Sequence, residues 1–514
     1  MPRPSINVEI LTAEDAAKLI RDGDTVGLTG AGGGLLEADV VNAAIEARFL
    51  ATGSPNRLTA IHALGFGDRK ERGQNRFAHE GMVKRLIAGN WAMSPAMQAL
   101  AAAEKIEAYS LPAGAISNLF REIGAGRPGF ITNVGIGTFV DPRDGGGSFN
   151  RSAKDRLVEL IEIGGKEYLR YLPFPIDIAI VRGTYADAHG NISLEEEPVD
   201  LDTYYLALAA RNSAGRVIAQ VREVVPAGSL LPRNVTVPAA LVDAVVIAPG
   251  QTQTYRSPNY EPSIAGVRRA LRPNLSTDGT PALKRVIANR ALREIRPGDV
   301  LNFGYGTATS IATLISERDE VEKYRITIEQ GIHGGHIMDG DFFGITINPV
   351  AIRSMNEQFD FYSGGGLDLA LMGMAELDSS GNVNVSHLGG KANGPGGFID
   401  IVQNARRIVY CGHFEGGAQI KVEDGRLALL EAGTYPKIVK RVEAVTFNGD
   451  YARSKGQEVI YVTERAVFRL AHDGVELIEF APGIDLDADI LGRMQFRPIV
   501  RNPKTMDPSL FKTS

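Results

Sequence analysis

One cysteine in 514 residues, Cys411, excludes an intrachain disulfide framework and suits a reducing cytoplasm. Its setting, Ile408-Val409-Tyr410-Cys411-Gly412, reads as a strand interior and so as a packed, inert thiol. No apolar run approaches the ~20 residues of a membrane-spanning helix, so no membrane partner is expected. Met1 to Glu9 has a charged start but no apolar core, and it does not read as a secretory signal. Basic residues are not in excess: 55 Lys and Arg face 61 Asp and Glu, a net charge of −6. A nucleic-acid partner needs a basic face, and that balance argues against one. His333, His336 and His387 flank glycine loops, yet no two have the close helical spacing of a zinc site, so no metal is expected.

What remains is a globular composition, 44% hydrophobic and 23% charged. A chain this long exceeds a single core, which predicts two or more domains.

The N-terminal part reads as α/β. Thr12-Ala13-Glu14-Asp15 has the form of a capping box ahead of a short amphipathic helix to Ile20. A strand, Thr25-Val26-Gly27-Leu28, runs into Thr29-Gly30-Ala31-Gly32-Gly33-Gly34, with a helix predicted from about Leu36 to Ala51. Strand, glycine loop and helix form an anion-binding arrangement. A dinucleotide fold fits poorly, because the third glycine and the acidic residue about 20 positions on are missing.

An internal repeat organises the chain. Ile20-Arg21-Asp22-Gly23-Asp24-Thr25-Val26 recurs as Ile295-Arg296-Pro297-Gly298-Asp299-Val300-Leu301. Asp177 is followed by Asp187, Gly190 and Asn191 at 10, 13 and 14 residues; Asp368 is followed by Asp378, Gly381 and Asn382 at the same spacings. Two homologous α/β halves follow, 1–265 and 281–514, joined through a Pro-rich connector at about 257–280. The repeat marks lie 153 residues apart in the first half (Asp24 to Asp177) and 69 in the second (Asp299 to Asp368). The first half therefore carries an insertion, placed at about 65–171. Runs such as Ala244-Val245-Val246-Ile247 and Arg407-Ile408-Val409-Tyr410 suit mainly parallel sheets covered on both faces.

Within the second half, Ile328-Glu329-Gln330-Gly331-Ile332-His333-Gly334-Gly335 plants a carboxylate at a strand end among glycines. Such loops let a ligand approach the backbone closely. Glu195-Glu196-Glu197 reads as a solvated acidic turn. Tyr204-Tyr205 and Phe342-Phe343 read as core packing or as the wall of an acyl pocket.

Five stretches in order carry a family resemblance: His79-Glu80-Gly81-Met82-Val83-Lys84-Arg85, Gly135-Ile136-Gly137-Thr138-Phe139-Val140-Asp141-Pro142-Arg143, Glu329-Gln330-Gly331 with Gly334-Gly335, Gly394-Pro395-Gly396-Gly397-Phe398-Ile399-Asp400, and Tyr461-Val462-Thr463-Glu464-Arg465. Together they resemble the class I coenzyme A transferases, in the single-chain branch of the acetate, propionate and 3-oxoacid enzymes. The resemblance implies two open α/β/α domains. It also implies Glu329 as nucleophile, with coenzyme A as substrate and covalent intermediate rather than bound cofactor. Gly396 and Gly397 match the segment that supplies an oxyanion donor and contacts CoA. Lys391 matches a basic position near the CoA phosphates, and Gly304-Tyr305-Gly306-Thr307-Ala308 the loop that holds the CoA tail. The implied partners are acyl-CoA and short-chain carboxylates (acetate, propionate, butyrate, acetoacetate), in a cytoplasmic homodimer or homotetramer. The chain departs from the pattern at Ala113, where many relatives have an oxyanion-binding glutamine, and Asn118 is a nearby amide that could take over. It departs again at Thr307-Ala308, where Ile-Pro is commoner. The alternatives are an acyl-CoA hydrolase on the same fold and a non-catalytic phosphate-ligand sensor.

Overall fold

Strands whose every residue is buried set the architecture. All five residues of Ile178–Arg182 and of Arg407–Cys411 are covered, as expected where helices pack on both faces of a parallel sheet. The computed structural model describes residues 8–271 and 280–512; residues 272–279 of the expected connector lie outside the described residues.

Two large sheets divide the chain. The first has eight strands, all in parallel register, in the order Glu9–Leu11, Ala244–Ile247, Arg216–Val221, Ile178–Arg182, Thr25–Leu28, Leu58–His62, Val83–Ala88 and Glu107–Ser110. The second has ten strands, and its middle runs Glu458–Val462, Arg407–Cys411, Leu369–Gly373, Val300–Phe303 and Arg325–Ile328, also parallel. Those five follow the spatial order of Ala244–Ile247, Arg216–Val221, Ile178–Arg182, Thr25–Leu28 and Leu58–His62. Antiparallel partners extend it, Ile332–His333 on one side and Ala466–Ala471 on the other.

The repeat is visible in hydrogen bonds as well as in strand order. Asp177 accepts from Thr25 N–H at 2.8 Å, and Asp368 from Val300 N–H at 3.0 Å, tying the same two strands in each half. Asp187 accepts from the backbone and side-chain amides of Asn191 at 3.0 and 2.9 Å, as Asp378 does from those of Asn382 at 3.0 and 3.1 Å.

The stretch expected as an insertion is only partly a separate body. Val83–Ala88 and Glu107–Ser110 extend the first sheet, while Phe130–Thr132, Lys166–Tyr171 and Val158–Ile163 form a small antiparallel sheet of their own. Between these lies helix Ala113–Gly124, buried except at Arg121. A helix buried nearly all round must be covered on several sides. This one packs against Thr203–Asn212 of its own half and against Met355–Ser363 and Phe398–Asn404 of the other.

Some local expectations shift. Thr12 caps its helix by accepting from Asp15 N–H at 3.1 Å. The helix predicted from Leu36 starts at Asp39, because Gly33, Gly34 and Leu36 have positive φ. Cys411 is buried in its strand, and burial pushes its thiol up to about 12. Among the described residues no helix is long and apolar enough to cross a membrane.

Candidate active site

The parallel strand Arg325–Ile328 ends at Glu329, and the chain reverses at once: Gly331 N–H donates to Ile328 C=O at 3.0 Å, and Ile332–His333 pairs back antiparallel. Gly331 has φ +98°, and a side chain there would collide with the carbonyl of Arg353, so only glycine fits. The turn leaves Glu329 at the carboxyl ends of parallel strands, beside Gly304 and Tyr305, which follow the neighbouring strand Val300–Phe303. Crevices at that edge are where open α/β sheets bind ligands.

Two cavities meet at Glu329. One of about 170 Å³ lies toward the first half, between Ala31, Gly32, Leu64 and Met93 on one side and Tyr305 and Phe343 on the other. The second, about 390 Å³, belongs mainly to the second half, with Gly304, Met372, Gly394, Gly396 and Gly397 in its wall. Burial pushes the Glu329 carboxyl up to about 7, and a hydrogen bond from Gly397 N–H pulls the other way. Gln330 Nε2 adds only a long contact to Oε1, 3.5 Å. The structure thus presents a partly buried carboxylate with a single close backbone donor.

The sequence-predicted residues divide. Gly304, Tyr305, Gly396 and Gly397 do line the cavity with Glu329. Gly397 N–H faces the carboxylate, whereas Gly396 N–H donates to Gly89 C=O at 2.7 Å and its C=O accepts from Ala113 N–H at 2.8 Å. Gly306, Thr307 and Ala308 form a single 3-10 turn behind Tyr305, with Ala308 buried, and none of the three lines either cavity. Lys391 is exposed on the hairpin His387–Leu388/Lys391–Ala392 and reaches neither cavity. Asn118 lines neither cavity, and its amide nitrogen donates to Asp360 at 3.2 Å. Ala113 is wholly buried under the other half.

Other residues resolve too. Phe343 walls both cavities and meets the Tyr305 ring edge-on at 5.5 Å, while Tyr204 and Tyr205 pack against the core. Glu197 is no solvated turn: it is buried against Arg182, with Oε2 to Nη2 at 2.9 Å. That partner offsets the cost of burying the Glu197 charge, and three consecutive acids gave no sign of it. Among the described residues no group of three His, Cys, Asp or Glu side chains could hold a metal ion.

Sequence reasoning missed Asp400 as a site residue, although it stands in a quoted motif. It is buried, accepts from Gly114 N–H at 3.0 Å across the join between halves, and is raised well above the usual carboxyl range by burial and by the charge of Glu329. Asn90 was missed as well; it lines both cavities.

Comparison with known proteins agrees with this geometry. The coenzyme A transferase family profile matches residues 10–248. Over 99% of this chain and 96% of its own length, acetate CoA-transferase YdiF of Escherichia coli K12 is 40% identical. Caffeate CoA-transferase of Acetobacterium woodii is 42% identical over 98% of this chain and 97% of its own. The crystal structure of acyl-CoA transferase YdiF from E. coli O157:H7, as a thioester complex with CoA, superposes with a TM-score of 0.93 at 38% identity, covering 100% of this chain and 98% of that one. The chain belongs to the coenzyme A transferase family. It is a CoA-transferase, built on that family's mainly parallel α/β fold.

Proposed function

We propose that this protein moves coenzyme A between a short-chain acyl-CoA and a free carboxylate (acetate, propionate, butyrate or acetoacetate) through a glutamyl-CoA thioester on Glu329. The observation that carries this reading is a carboxylate at the meeting point of two cavities, with Gly397 N–H donating to it. The first-half cavity takes the acyl group; the second-half cavity takes the thiol end of CoA past Gly304 and Tyr305. Acetate and CoA in the names of the relatives support the substrates, and the thioester complex supports the covalent route.

Ionised Glu329 attacks the thioester carbonyl of the donor, and the C–S bond breaks to leave an acyl-glutamyl anhydride and CoA thiolate. The thiolate then attacks the Glu329 carbonyl, releasing the first acid and forming the glutamyl-CoA thioester. An incoming carboxylate reverses both steps. Each nucleophile is already an anion, so no general base is needed, and the kinetics are ping-pong. Every step passes through an oxyanion, and losing one donor such as Gly397 N–H typically costs ~10²–10³ in rate. The assembly is proposed as a homodimer or homotetramer, which light scattering decides.

The test is to incubate the protein with acetyl-CoA, trap with borohydride or hydroxylamine, and map the modification by mass spectrometry. Modification at Glu329 with transfer to propionate is the expected result; caffeate as a parallel acceptor tests the aryl acid of the second relative's name. CoA release without transfer to any acid indicates a hydrolase, and an unmodified Glu329 overturns the covalent route.

A further inference from the structure

Glu37 is one of the buried acids that the reaction leaves unused. It is 1% exposed and lies between the glycine loop and the helix Asp39–Thr52. Its Oε1 accepts from Gly34 N–H at 3.2 Å and Gly67 N–H at 2.7 Å, and its Oε2 from the Tyr255 hydroxyl at 2.6 Å. Three chain segments far apart in sequence therefore meet on one carboxyl. The contacts are tight: a side chain on Gly73 would come within 2.7 Å of Oε2, and one on Gly30 within 3.0 Å of Cγ. Tyr255 is fixed a second time by its N–H, which donates to Gly33 C=O at 2.7 Å, and Arg72 stacks over its ring at 4.7 Å.

Two of those segments line the first-half wall of the smaller cavity, and the third braces it from behind. Ala31 and Gly32 come from the first, and Leu64, Gly65 and Arg69 from the second. The third continues from Tyr255 to Arg256, which pairs with Asp341; Arg69 reaches the same carboxylate at 3.3 Å. Asp341 belongs to the loop that closes this cavity from the other half.

We propose that Glu37 is a positioning residue for the transfer reaction: by holding Gly34, Gly67 and Tyr255 together it sets the wall against which the acid substrate packs, opposite Glu329. The proposal rests on assigning that cavity to the acyl group. It acts on the acid rather than on CoA, because none of the three segments contributes to the Gly304–Tyr305 side of the site. Burial holds the Glu37 carboxyl up at about 8, which marks a group kept for its hydrogen bonds rather than for solvation.

The experiment uses Glu37→Ala and Tyr255→Phe in the protein, with steady-state kinetics in both substrates and active-site counting by trapping at Glu329. Alanine removes the acceptor of all three hydrogen bonds; phenylalanine removes the Tyr255 bond alone. The expected result is a KM for propionate raised about tenfold, the size of one lost buried hydrogen bond, with the KM for acetyl-CoA within about twofold of wild type. Equal change in both KM values, or in neither, overturns the proposal. Should Glu37→Ala fail to fold, Tyr255→Phe decides by the same split. Absence of trapping in the wild-type protein sinks the covalent reading separately, and the acid KM then still judges Glu37.

Discussion

The backbone N–H of Gly397 donates to the carboxylate of Glu329, and the room above that carboxylate exists because residue 397 has no side chain. A methyl group built there would overlap Oε2 of Glu329 and press on the Phe359 ring at 2.9 Å. Gly397 caps the helix Phe398–Asn404 with φ −85°, so alanine would not strain the backbone. Gly397→Ala is therefore expected to fold but to turn over at least ~10²-fold more slowly, since displacements of ~1 Å at a reacting group cost about that much. Circular dichroism and kcat, measured together, check it.

Glu329 carries a pH prediction. Attack requires the ionised form, and burial has raised the group from 4.5 to about 7. On the acidic side kcat/KM for acyl-CoA should fall about tenfold per pH unit below that value and level off above it, as for any essential base. Stability runs the other way. Unfolding lets this carboxyl ionise more easily, so the penalty is absent below 4.5, grows between 4.5 and about 7, and is complete above. Glu329→Gln should abolish turnover and melt higher than wild type at pH 8, with the gap closing toward pH 5.

Asp400 predicts a contrast between two variants. Burial and the charge of Glu329 raise its carboxyl well above the usual range, and it accepts from Gly114 N–H. Asp400→Asn keeps shape and acceptor and should be tolerated. Asp400→Ala orphans a buried N–H and opens a cavity at the join between halves, costing ~2–4 kcal/mol. Urea denaturation of the two proteins separates them.

The repeat predicts matched losses. Asp187 and Asp378 are both 2% exposed, and each organises its turn through the following Asn. Asp187→Ala and Asp378→Ala should each cost ~2 kcal/mol, and the double variant should lose the sum to within ~0.5 kcal/mol, because sites in separate halves do not couple. Thermal unfolding of the three proteins measures this.

Much of the fold was legible because its signals are local. The Asp-Gly-Asn turns close within four residues, so their spacing appears in the sequence twice and marks equivalent strands in both sheets. Glu329 could be singled out for a related reason: a strand end, a turn and its glycines are one short segment. Lys391, placed near CoA by family likeness, stands outside both cavities, because a hairpin's direction depends on what it packs against.

By itself, then, the sequence determined two repeated parallel α/β halves, a globular composition and an acid at a strand end, all consequences of hydrophobic pattern and turn chemistry. Tertiary structure alone decided which groups surround that acid. Gly396 meets Gly89, Asp400 meets Gly114, and Glu37 meets Tyr255 across separations of 286 residues for the second and 218 for the third. The first two depend on how the two sheets dock and the third on how distant loops of one half pack together; both are set by the shape of whole buried faces, which no short stretch of residues encodes.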